Sequence, residues 1–196
     1  MLYRFLQIFI LFLMKIFWHL KIINKQQIQN ARGCIIAANH ISWFDPPFIG
    51  SILPFPINYL AKAELFHNKN FGKLLKKLHA IPIKRGTIDR KAIELVKEKL
   101  LAKESVLIFP EGTRKSSKAK SGIGKIALET EKDILPIYIE NSDKFWQCLI
   151  GKKRLKIIFG EKIKVPEFSH LEKTKENYRK LAETILERIN KLKDEN

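Results

Sequence analysis

The sequence contains little cysteine and none of the common glycine-rich nucleotide motifs. Cys34 and Cys148 are its only cysteines, and neither lies in a CxxC pair or beside a histidine-rich cluster. This argues against a disulfide scaffold and against a zinc site, and it is typical of a protein kept in a reducing compartment. A P-loop, a GxGxxG and a GxSxG motif are also missing, so the enzyme sites built on them are not expected here.

Acidic side chains are scarce as well. The 196 residues include 37 Lys and Arg against 20 Asp and Glu, which gives a formal net charge of +17. Such an excess attracts polyanions: nucleic acid, an anionic bilayer surface or phosphorylated substrates. The basic residues are scattered, however, and most aromatic residues lie in apolar runs, whereas a nucleic-acid groove interleaves the two. We therefore expect no nucleic-acid partner.

The N-terminal segment is mostly apolar, but charges interrupt it. Residues 1–23 predict one helix, in which the uncharged stretch between Arg4 and Lys15 is only ten residues long. A membrane-spanning helix needs roughly 20 apolar residues, and no small-residue cleavage site follows the apolar stretch. We expect a helix that lies in the membrane interface, with Trp18 and the cations at headgroup level. A helix buried against the domain, and a span in which Lys15 reaches an interface, are the alternatives.

Short apolar runs alternate with helical patterns along the rest of the chain. Strands are predicted at residues 34–38, 57–61, 80–84, 105–110, 134–140 and within 154–165, and helices at 47–53, 70–80, 89–103, 123–130 and 172–193. This alternation predicts an α/β fold with a mixed, mainly parallel sheet flanked by helices. We divide the chain into an N-terminal interfacial helix with its linker, residues 1–28, and an α/β domain, residues 29–196.

Polar side chains gather where the first predicted strand ends, in AANHISWFDPP (37–47). His40 and Asp45 are five positions apart, so on a regular helix they would point in different directions. A strand-to-helix corner would let them meet, with Pro46 in the first helical turn and Asp45 as the N-cap. The Asp45 carboxylate could then hold an imidazole N–H and leave the other nitrogen free as a base. The alternative is a simple turn with a capping aspartate.

Two more basic turns follow predicted strands. Arg85 stands beside a glycine before a predicted helix, where a guanidinium and backbone N–H groups can bind an anion. Glu111 and Arg114 lie in FPEGTR (109–114), and Lys120 precedes another helix. Lys62 follows the strand predicted at residues 57–61. The loops beyond the carboxyl ends of strands carry the ligand site in open α/β sheets, whereas the alternative for each turn is a solvated basic surface.

Together these stretches resemble the glycerophospholipid acyltransferase superfamily, in particular its 1-acyl-sn-glycerol-3-phosphate acyltransferases. That family carries four ordered blocks: NHxxxxD, a block with an Arg-Gly pair, FPEGTR, and a short apolar block with proline. This sequence has NHISWFD (39–45), IPIKRG (81–86), FPEGTR (109–114) and ILPIYI (134–139). The resemblance covers about residues 30–165 and is specific as a set.

The resemblance implies acyl transfer from a thioester to a lipid hydroxyl. His40 matches the general base of the family, and Asp45 matches the residue that orients it. The residues implied in substrate binding are Arg85, Glu111, Gly112, Thr113, Arg114 and, as weaker candidates for the acceptor phosphate, Lys62 and Lys120. The resemblance implies no metal and no bound cofactor, because acyl-CoA or acyl carrier protein is a donor substrate.

The expected reaction places an acyl group on the sn-2 hydroxyl of 1-acyl-sn-glycerol-3-phosphate and gives phosphatidic acid. Membrane lipids are the expected partners, and the expected location is the cytoplasmic face of a bacterial inner membrane, with attachment by the N-terminal helix. A different lyso-lipid acceptor, such as lyso-ornithine lipid or another lysophospholipid, is the alternative within the same chemistry. A non-catalytic basic membrane- or nucleic-acid-binding protein is a remote alternative. The oligomeric state is left open.

Overall fold

Seven strands form one mixed sheet in the computed structural model, which describes residues 1–84, 89–114, 116–168 and 170–194. In chain order the strands are β1 (Lys21–Ile23), β2 (Ile35–Ala38), β3 (Ile57–Lys62), β4 (Ala80–Ile83), β5 (Ser105–Ile108), β6 (Ile134–Glu140) and β7 (Lys156–Phe159). Their order across the sheet is β1-β7-β6-β2-β5-β3-β4. Only the β6–β7 pair is antiparallel, so the carboxyl ends of β2 to β6 share one edge, which we call the carboxyl edge.

Helices cover both faces of the sheet. The α-helices are α1 (Leu2–Phe17), α2 (Asp45–Ile52), α3 (Lys69–Lys77), α4 (Arg90–Leu101), α5 (Ser121–Thr130), α6 (Phe145–Leu149) and α7 (Lys175–Asp194). Short 3-10 turns occur at Lys25–Ile28, Ala63–Phe66 and Val165–Phe168.

The alternation of side chains along β2 separates two apolar cores. Ile36 and Ala38 face the core shared with α1, α2 and α6. Ile35 and Ala37 face the opposite core, which includes residues of α4, α5 and α7. Successive side chains of a strand point to opposite faces, so a strand buried on both faces is apolar throughout. The prediction of a mixed, mainly parallel sheet between helices is confirmed.

The strands predicted from 34 to 140 correspond to β2 to β6, and the long predicted helices are present with small shifts of their ends. Asp89 caps α4, because its carboxylate accepts the Ala92 N–H at 3.1 Å. Two elements were missed. One is the three-residue edge strand β1, and the other is α6, whose five residues are too few to show a helical period.

The prediction of a helix through Ile23 is wrong beyond Phe17. His19 adopts a left-handed conformation with φ of 47°, and the next residues pair in parallel with β7. The Lys21 N–H donates to the Leu155 carbonyl at 2.8 Å, which binds the segment to the sheet. The period of a continuous apolar run does not distinguish a helix from a buried strand. For residues 21–23, pairing with the distant strand β7 determines the conformation. The division at residue 28 stays a prediction.

The helix α1 packs on α2 through one side only. Gln7 donates from its side-chain amide to the Gly50 and Leu53 carbonyls at 2.8 and 3.1 Å, and Met14 is fully buried. The opposite side exposes a row of large apolar side chains, which we call the α1 stripe: Phe5, Ile8, Phe9, Phe12 and Ile16. Within the described residues, no helix is long and apolar enough to cross a membrane.

Candidate active site

The site lies at the carboxyl edge, where the chain leaves β2 and β5. The neighbours of β2 are β6 on one side and β5 on the other. From β2 the chain continues through α2 to β3, on the β5 side, whereas from β6 it continues through α6 to β7, on the opposite side. A crevice forms outside the strand ends at such a point. The NHISWFD loop (39–45) follows β2, and the FPEGTR loop (109–114) follows β5, so two of the predicted motifs meet here.

His40 and Asp45 form the predicted pair. The imidazole Nδ1 lies 2.8 Å from the Asp45 Oδ2, and both side chains are buried. An ionised carboxylate only accepts hydrogen bonds, so Nδ1 carries the proton and the lone pair of Nε2 is free. No residue that the structure describes is hydrogen-bonded to Nε2. The geometry supplies an oriented imidazole base.

Asp45 is fully buried, and its charge is compensated by several donors. Its Oδ2 accepts the backbone N–H groups of Ile41 and Ser42, each at 2.7 Å. Its Oδ1 accepts the Ser142 hydroxyl at 2.5 Å. These bonds offset the desolvation of the carboxylate and hold it in one orientation.

The predicted N-cap role of Asp45 is wrong. Asp45 is the first residue of α2, and no side-chain capping bond is present at that end. The next two residues are Pro46 and Pro47, which have no N–H to donate. The Asp45 carboxylate instead turns back toward the preceding loop, where it binds the His40 imidazole and the backbone amides of Ile41 and Ser42.

Residues of the second loop hold His40 from the other side. The Glu111 Oε2 accepts the His40 backbone N–H at 2.8 Å. The imidazole stacks on Phe109, with ring centroids 4.0 Å apart and planes inclined by 17°. Burial raises the pKa of the Glu111 carboxyl to about 7, the His40 N–H opposes that rise, and the Asp45 charge adds to it. Glu111 was predicted as a substrate-binding residue. Its observed contact is with the NHISWFD loop (39–45), which we call the base loop.

Asn39 fastens the same loop to β6. Its side-chain amide donates to the Ile139 carbonyl at 2.9 Å, and its side-chain oxygen accepts the Ile139 N–H at 2.8 Å. These two bonds extend the pairing of β2 with β6 by one residue, so they position the base loop rather than the reacting atoms.

Gly112 and Lys120 lie against each other beside the pair. Gly112 has φ of 68°, a conformation that favours glycine. A Cβ at Gly112 would lie 3.0 Å from the Cδ and 3.4 Å from the Nζ of Lys120. The Lys120 side chain therefore extends over the FPEGTR turn and brings an ammonium group to it.

A cavity of about 450 Å³ opens next to this turn. Phe109, Gly112 and Lys120 line it together with apolar residues of β3, β5, α4 and α5, and three further charged side chains complete the lining: Asp89, Lys125 and Lys175. His40 is not among the described residues that line it, and the Phe109 ring contacts both the cavity and the imidazole.

Arg114 stands at the opposite side of the turn. Its guanidinium carbon lies 3.6 Å from the centroid of the exposed Trp43 ring. This cation–π contact joins the two motif loops. Within the described ranges the guanidinium forms no ion pair, so its N–H groups can bind an anion. Thr113 lies in the same turn, where its carbonyl accepts the Ser116 N–H at 3.4 Å.

Lys62 has no described contact with either motif loop. Lys62 is the last residue of β3 and pairs with the exposed Glu64 at 3.2 Å. It is paired in the sheet with Ile83, the last residue of β4, so it lies on the same edge. Arg85 and its neighbours up to residue 88 lie outside the described residues.

The sequence reasoning missed Ser142 and Trp43. Ser142 is 97 positions from Asp45, and nothing in its local sequence indicates that hydrogen bond. Trp43 falls at a position that the NHxxxxD pattern leaves open. Within the part of the chain that the structure describes, no cluster of three His, Cys, Asp or Glu side chains could hold a metal ion.

The chain is similar to known acyltransferases. Residues 19–140 match the protein-family model described as Acyltransferase. The chain is 34% identical over 177 residues to a 1-acyl-sn-glycerol-3-phosphate acyltransferase of Bacillus subtilis, covering 89% of this chain and 88% of that protein. It is 39% identical over 77 residues to a lyso-ornithine lipid O-acyltransferase of Pseudomonas aeruginosa, covering 39% of this chain and 29% of that protein.

A solved structure has the same fold. The crystal structure of the 1-acyl-sn-glycerophosphate (LPA) acyltransferase PlsC from Thermotoga maritima matches with a TM-score of 0.71 at 22% sequence identity. The match covers 98% of this chain and 78% of that one.

Proposed function

The chain belongs to the lysophosphatidic acid acyltransferase family, and on this basis we propose that it transfers a fatty acyl group from acyl-CoA or acyl carrier protein to the sn-2 hydroxyl of 1-acyl-sn-glycerol-3-phosphate, giving phosphatidic acid. The observation that carries this proposal is the buried His40–Asp45 pair with its free Nε2 at the carboxyl edge.

In the proposed reaction, the His40 Nε2 takes the proton of the acceptor hydroxyl. The hydroxyl oxygen then attacks the thioester carbonyl carbon, and the C–S bond breaks as the carbonyl re-forms. The thiolate leaves and takes the proton back from the imidazolium, whose charge Asp45 has stabilised. A thiolate is a good leaving group, so a positioned base can be enough without a separate strong acid. No covalent enzyme intermediate is needed.

The acceptor phosphate would bind to the cations that surround the FPEGTR turn. Lys120 extends over Gly112, and Arg114 is held on Trp43, so the two cations flank the turn that contacts the base loop. Guanidinium groups suit phosphate recognition because their paired N–H groups match its oxygens. Arg85 and Lys62 remain proposed phosphate contacts from the sequence.

We further propose that the cavity beside the turn holds a fatty acyl chain. Apolar side chains such as Leu60, Val96 and Ile123 form much of its lining, and Gly112 and Lys120 connect it with the FPEGTR turn. A mainly apolar cavity that also carries charged groups suits a ligand with a long hydrocarbon tail and a polar head.

Membrane lipids are the proposed partners, and the cytoplasmic face of a bacterial inner membrane is the proposed location. The α1 stripe is a continuous apolar surface with no described covering element, and exposed patches of this kind mark interaction sites. The net charge of +17 favours the anionic cytoplasmic leaflet.

The proposal is tested with purified protein and a panel of lyso-lipid acceptors, each with acyl-CoA and acyl carrier protein donors. We expect turnover of 1-acyl-sn-glycerol-3-phosphate, and His40→Ala should lower kcat by about 10²- to 10⁴-fold. His170→Ala is the matched control because His170 is exposed and distant in the sequence from the motif loops. Wild-type turnover by His40→Ala would overturn the mechanism. Preference for lyso-ornithine lipid would overturn the acceptor and favour the second candidate, which the Pseudomonas aeruginosa match suggests.

A further inference from the structure

The segment between β6 and β7 projects beyond the carboxyl edge and carries an unexplained surface. Glu140 at the end of β6 is paired with Lys156 at the start of β7, so the residues between them all lie past the sheet. Ser142, at the start of this segment, donates to Asp45. The segment therefore begins beside the His40–Asp45 pair and extends outward from it.

The short helix α6 in this segment has an inner and an outer side. On the inner side, Cys148 is fully buried and Phe145 packs on Trp18 with ring centroids 4.8 Å apart. On the outer side, Trp146 is 73% exposed and Ile150 is 63% exposed. An exposed tryptophan beside an exposed isoleucine is unfavourable in water, and the indole ring suits a membrane interface.

Cations border these apolar side chains. Lys152, Lys153 and Arg154 follow α6 and are exposed. None of them forms an ion pair with a carboxylate among the described residues. We call the outer surface the α6 patch: Trp146, Leu149, Ile150, Lys152, Lys153 and Arg154.

The α6 patch is held in place before any ligand arrives. The Asn141 side-chain amide donates to the Arg154 carbonyl at 2.9 Å, and the Lys153 N–H donates to the Gln147 carbonyl at 2.9 Å. A surface that is already ordered loses little conformational entropy on binding.

We propose that the α6 patch is a second membrane contact, which binds the surface of a bilayer containing anionic phospholipid. The apolar side chains would enter the interface, and the three cations would face lipid phosphates. The inner side of α6 packs on the end of α1 through the Phe145–Trp18 contact, so the α6 patch and the α1 stripe belong to neighbouring helices.

A second contact has a geometric consequence. A single helix lying on a bilayer leaves the protein free to rotate about the helix axis. A contact away from that axis, next to the carboxyl edge, removes this freedom and turns the His40 edge toward the lipid. The inference rests on the proposed function, because only a lipid substrate gives this orientation a purpose.

The test compares two variants of the full chain with a matched control. One variant is Trp146→Ser with Ile150→Ser, and the other is Lys152→Gln with Lys153→Gln and Arg154→Gln. The control is Leu101→Ser, because Leu101 is 62% exposed at the end of α4, on the opposite face of the sheet. Binding is measured by flotation with vesicles of phosphatidylglycerol and phosphatidylethanolamine, and with vesicles of phosphatidylcholine alone.

We expect the apolar variant to bind both vesicle types roughly 10- to 100-fold more weakly. The charge variant should weaken binding only to the anionic vesicles, by about tenfold or more at low salt. Turnover of long-chain substrates in vesicles should fall with binding, whereas turnover of water-soluble short-chain substrates without vesicles should be unchanged. Leu101→Ser should behave as wild type in each assay.

Vesicle binding by both variants at the wild-type level would overturn the proposal. So would a change of association state in solution without a change in vesicle binding, because the patch would then contact a second copy of the chain. Failure of the wild type to turn over any lyso-lipid would overturn the proposed function instead, and the flotation result would still decide the α6 patch.

Discussion

Side chains from distant parts of the chain meet around the His40–Asp45 pair. Asp45 receives the Ser142 hydroxyl from the segment after β6, and the His40 amide is bound by Glu111 from the loop after β5. The two contacts lead to different predictions. Ser142 binds the carboxylate that holds the His40 imidazole, so its loss should affect catalysis, whereas Glu111 is itself a buried titrating group and should affect stability.

Removal of the Ser142 hydroxyl should weaken catalysis through Asp45. A hydrogen bond to a charged group contributes about 1.5–3 kcal/mol, so we expect Ser142→Ala to lower kcat about tenfold with little change in KM. Ser51→Ala is the control, because the buried Ser51 hydroxyl donates to the Phe48 carbonyl at 2.8 Å within α2. The control should lose stability but keep kcat. A Ser142→Ala enzyme with wild-type kcat would show that the hydroxyl is not needed to position Asp45.

Glu111 should make the stability of the protein fall as the pH rises through the weakly acidic range. Burial raises the pKa of its carboxyl from 4.5 to about 7. Between these two values the folded chain keeps a proton that the unfolded chain loses, so the free energy of unfolding decreases with pH there and this contribution is constant above about pH 7.

The variant Glu111→Gln tests this dependence, because its amide oxygen can still accept the His40 N–H. At about 1.4 kcal/mol per pH unit, we expect the wild type to lose about 1–3 kcal/mol relative to the variant between pH 4.5 and 8. Denaturant titrations at several pH values measure the difference. Glu161→Gln, at an exposed position, is the control, and an equal pH slope in wild type and Glu111→Gln would contradict the raised pKa.

At the scale of elements, α5 and α7 pack closely against each other at Gly124. A Cβ on Gly124 of α5 would overlap the backbone carbonyl of Tyr178 in α7 and lie 3.2 Å from the Ala182 nitrogen. Backbone atoms of a packed helix cannot move aside singly, so the glycine is required for the two helices to approach.

Gly124→Ala should therefore lower the free energy of unfolding by about 1–3 kcal/mol or more, since it overpacks a tight contact. Gly122→Ala in the same helix is a matched control, because nothing lies within 4 Å of its added Cβ. The control should be neutral or stabilising by up to about 1 kcal/mol. Thermal or denaturant unfolding distinguishes them, and equal stability of the two variants would mean that α5 and α7 are not packed this closely.

At the scale of the whole molecule, apolar surface and positive charge favour the same kind of partner. The α1 stripe is exposed on one face, and the net charge is +17. Deleting residues 1–23 would also remove strand β1 and the buried Met14, so a truncation would not separate membrane binding from folding.

Replacing Phe5, Phe9 and Phe12 by Gln tests the α1 stripe without touching the core. All three are exposed, so the unfolding free energy should change by less than about 1 kcal/mol. Vesicle binding should fall more than about 100-fold, because each buried phenylalanine contributes about 1.5–3 kcal/mol. Flotation with anionic vesicles measures this, and unchanged binding would place the membrane contact elsewhere.

Much of the fold was predictable because short stretches of sequence determine it. The runs at β2, β5 and β6 are short and mainly apolar, as is typical of strands covered on both faces. The segment at residues 21–23 was mistaken for helix, because its pairing with β7 depends on residues more than 130 positions away. Helix α6 was missed because it is shorter than two helical turns.

The candidate site divides in the same way. The motif loops identified His40, Asp45, Glu111 and Arg114, since each lies directly after a strand and carries chemically specific side chains. The pattern did not assign them contacts. Glu111 binds the His40 amide. Asp45 does not cap its helix, because Pro46 and Pro47 have no N–H group and the Phe48 N–H donates to the Phe44 carbonyl at 2.9 Å.

Local sequence was sufficient for the α/β alternation, for the position of the candidate site at the strand ends and for the pairing of His40 with Asp45, because periodicity, turn residues and motif spacing are short-range properties. Chain folding was required for the Ser142–Asp45 bond, the strand at the N-terminus and the packing of α6 on the end of α1. Each of these depends on contacts between residues far apart in the chain, and such contacts exist only after the sheet has brought its strands together.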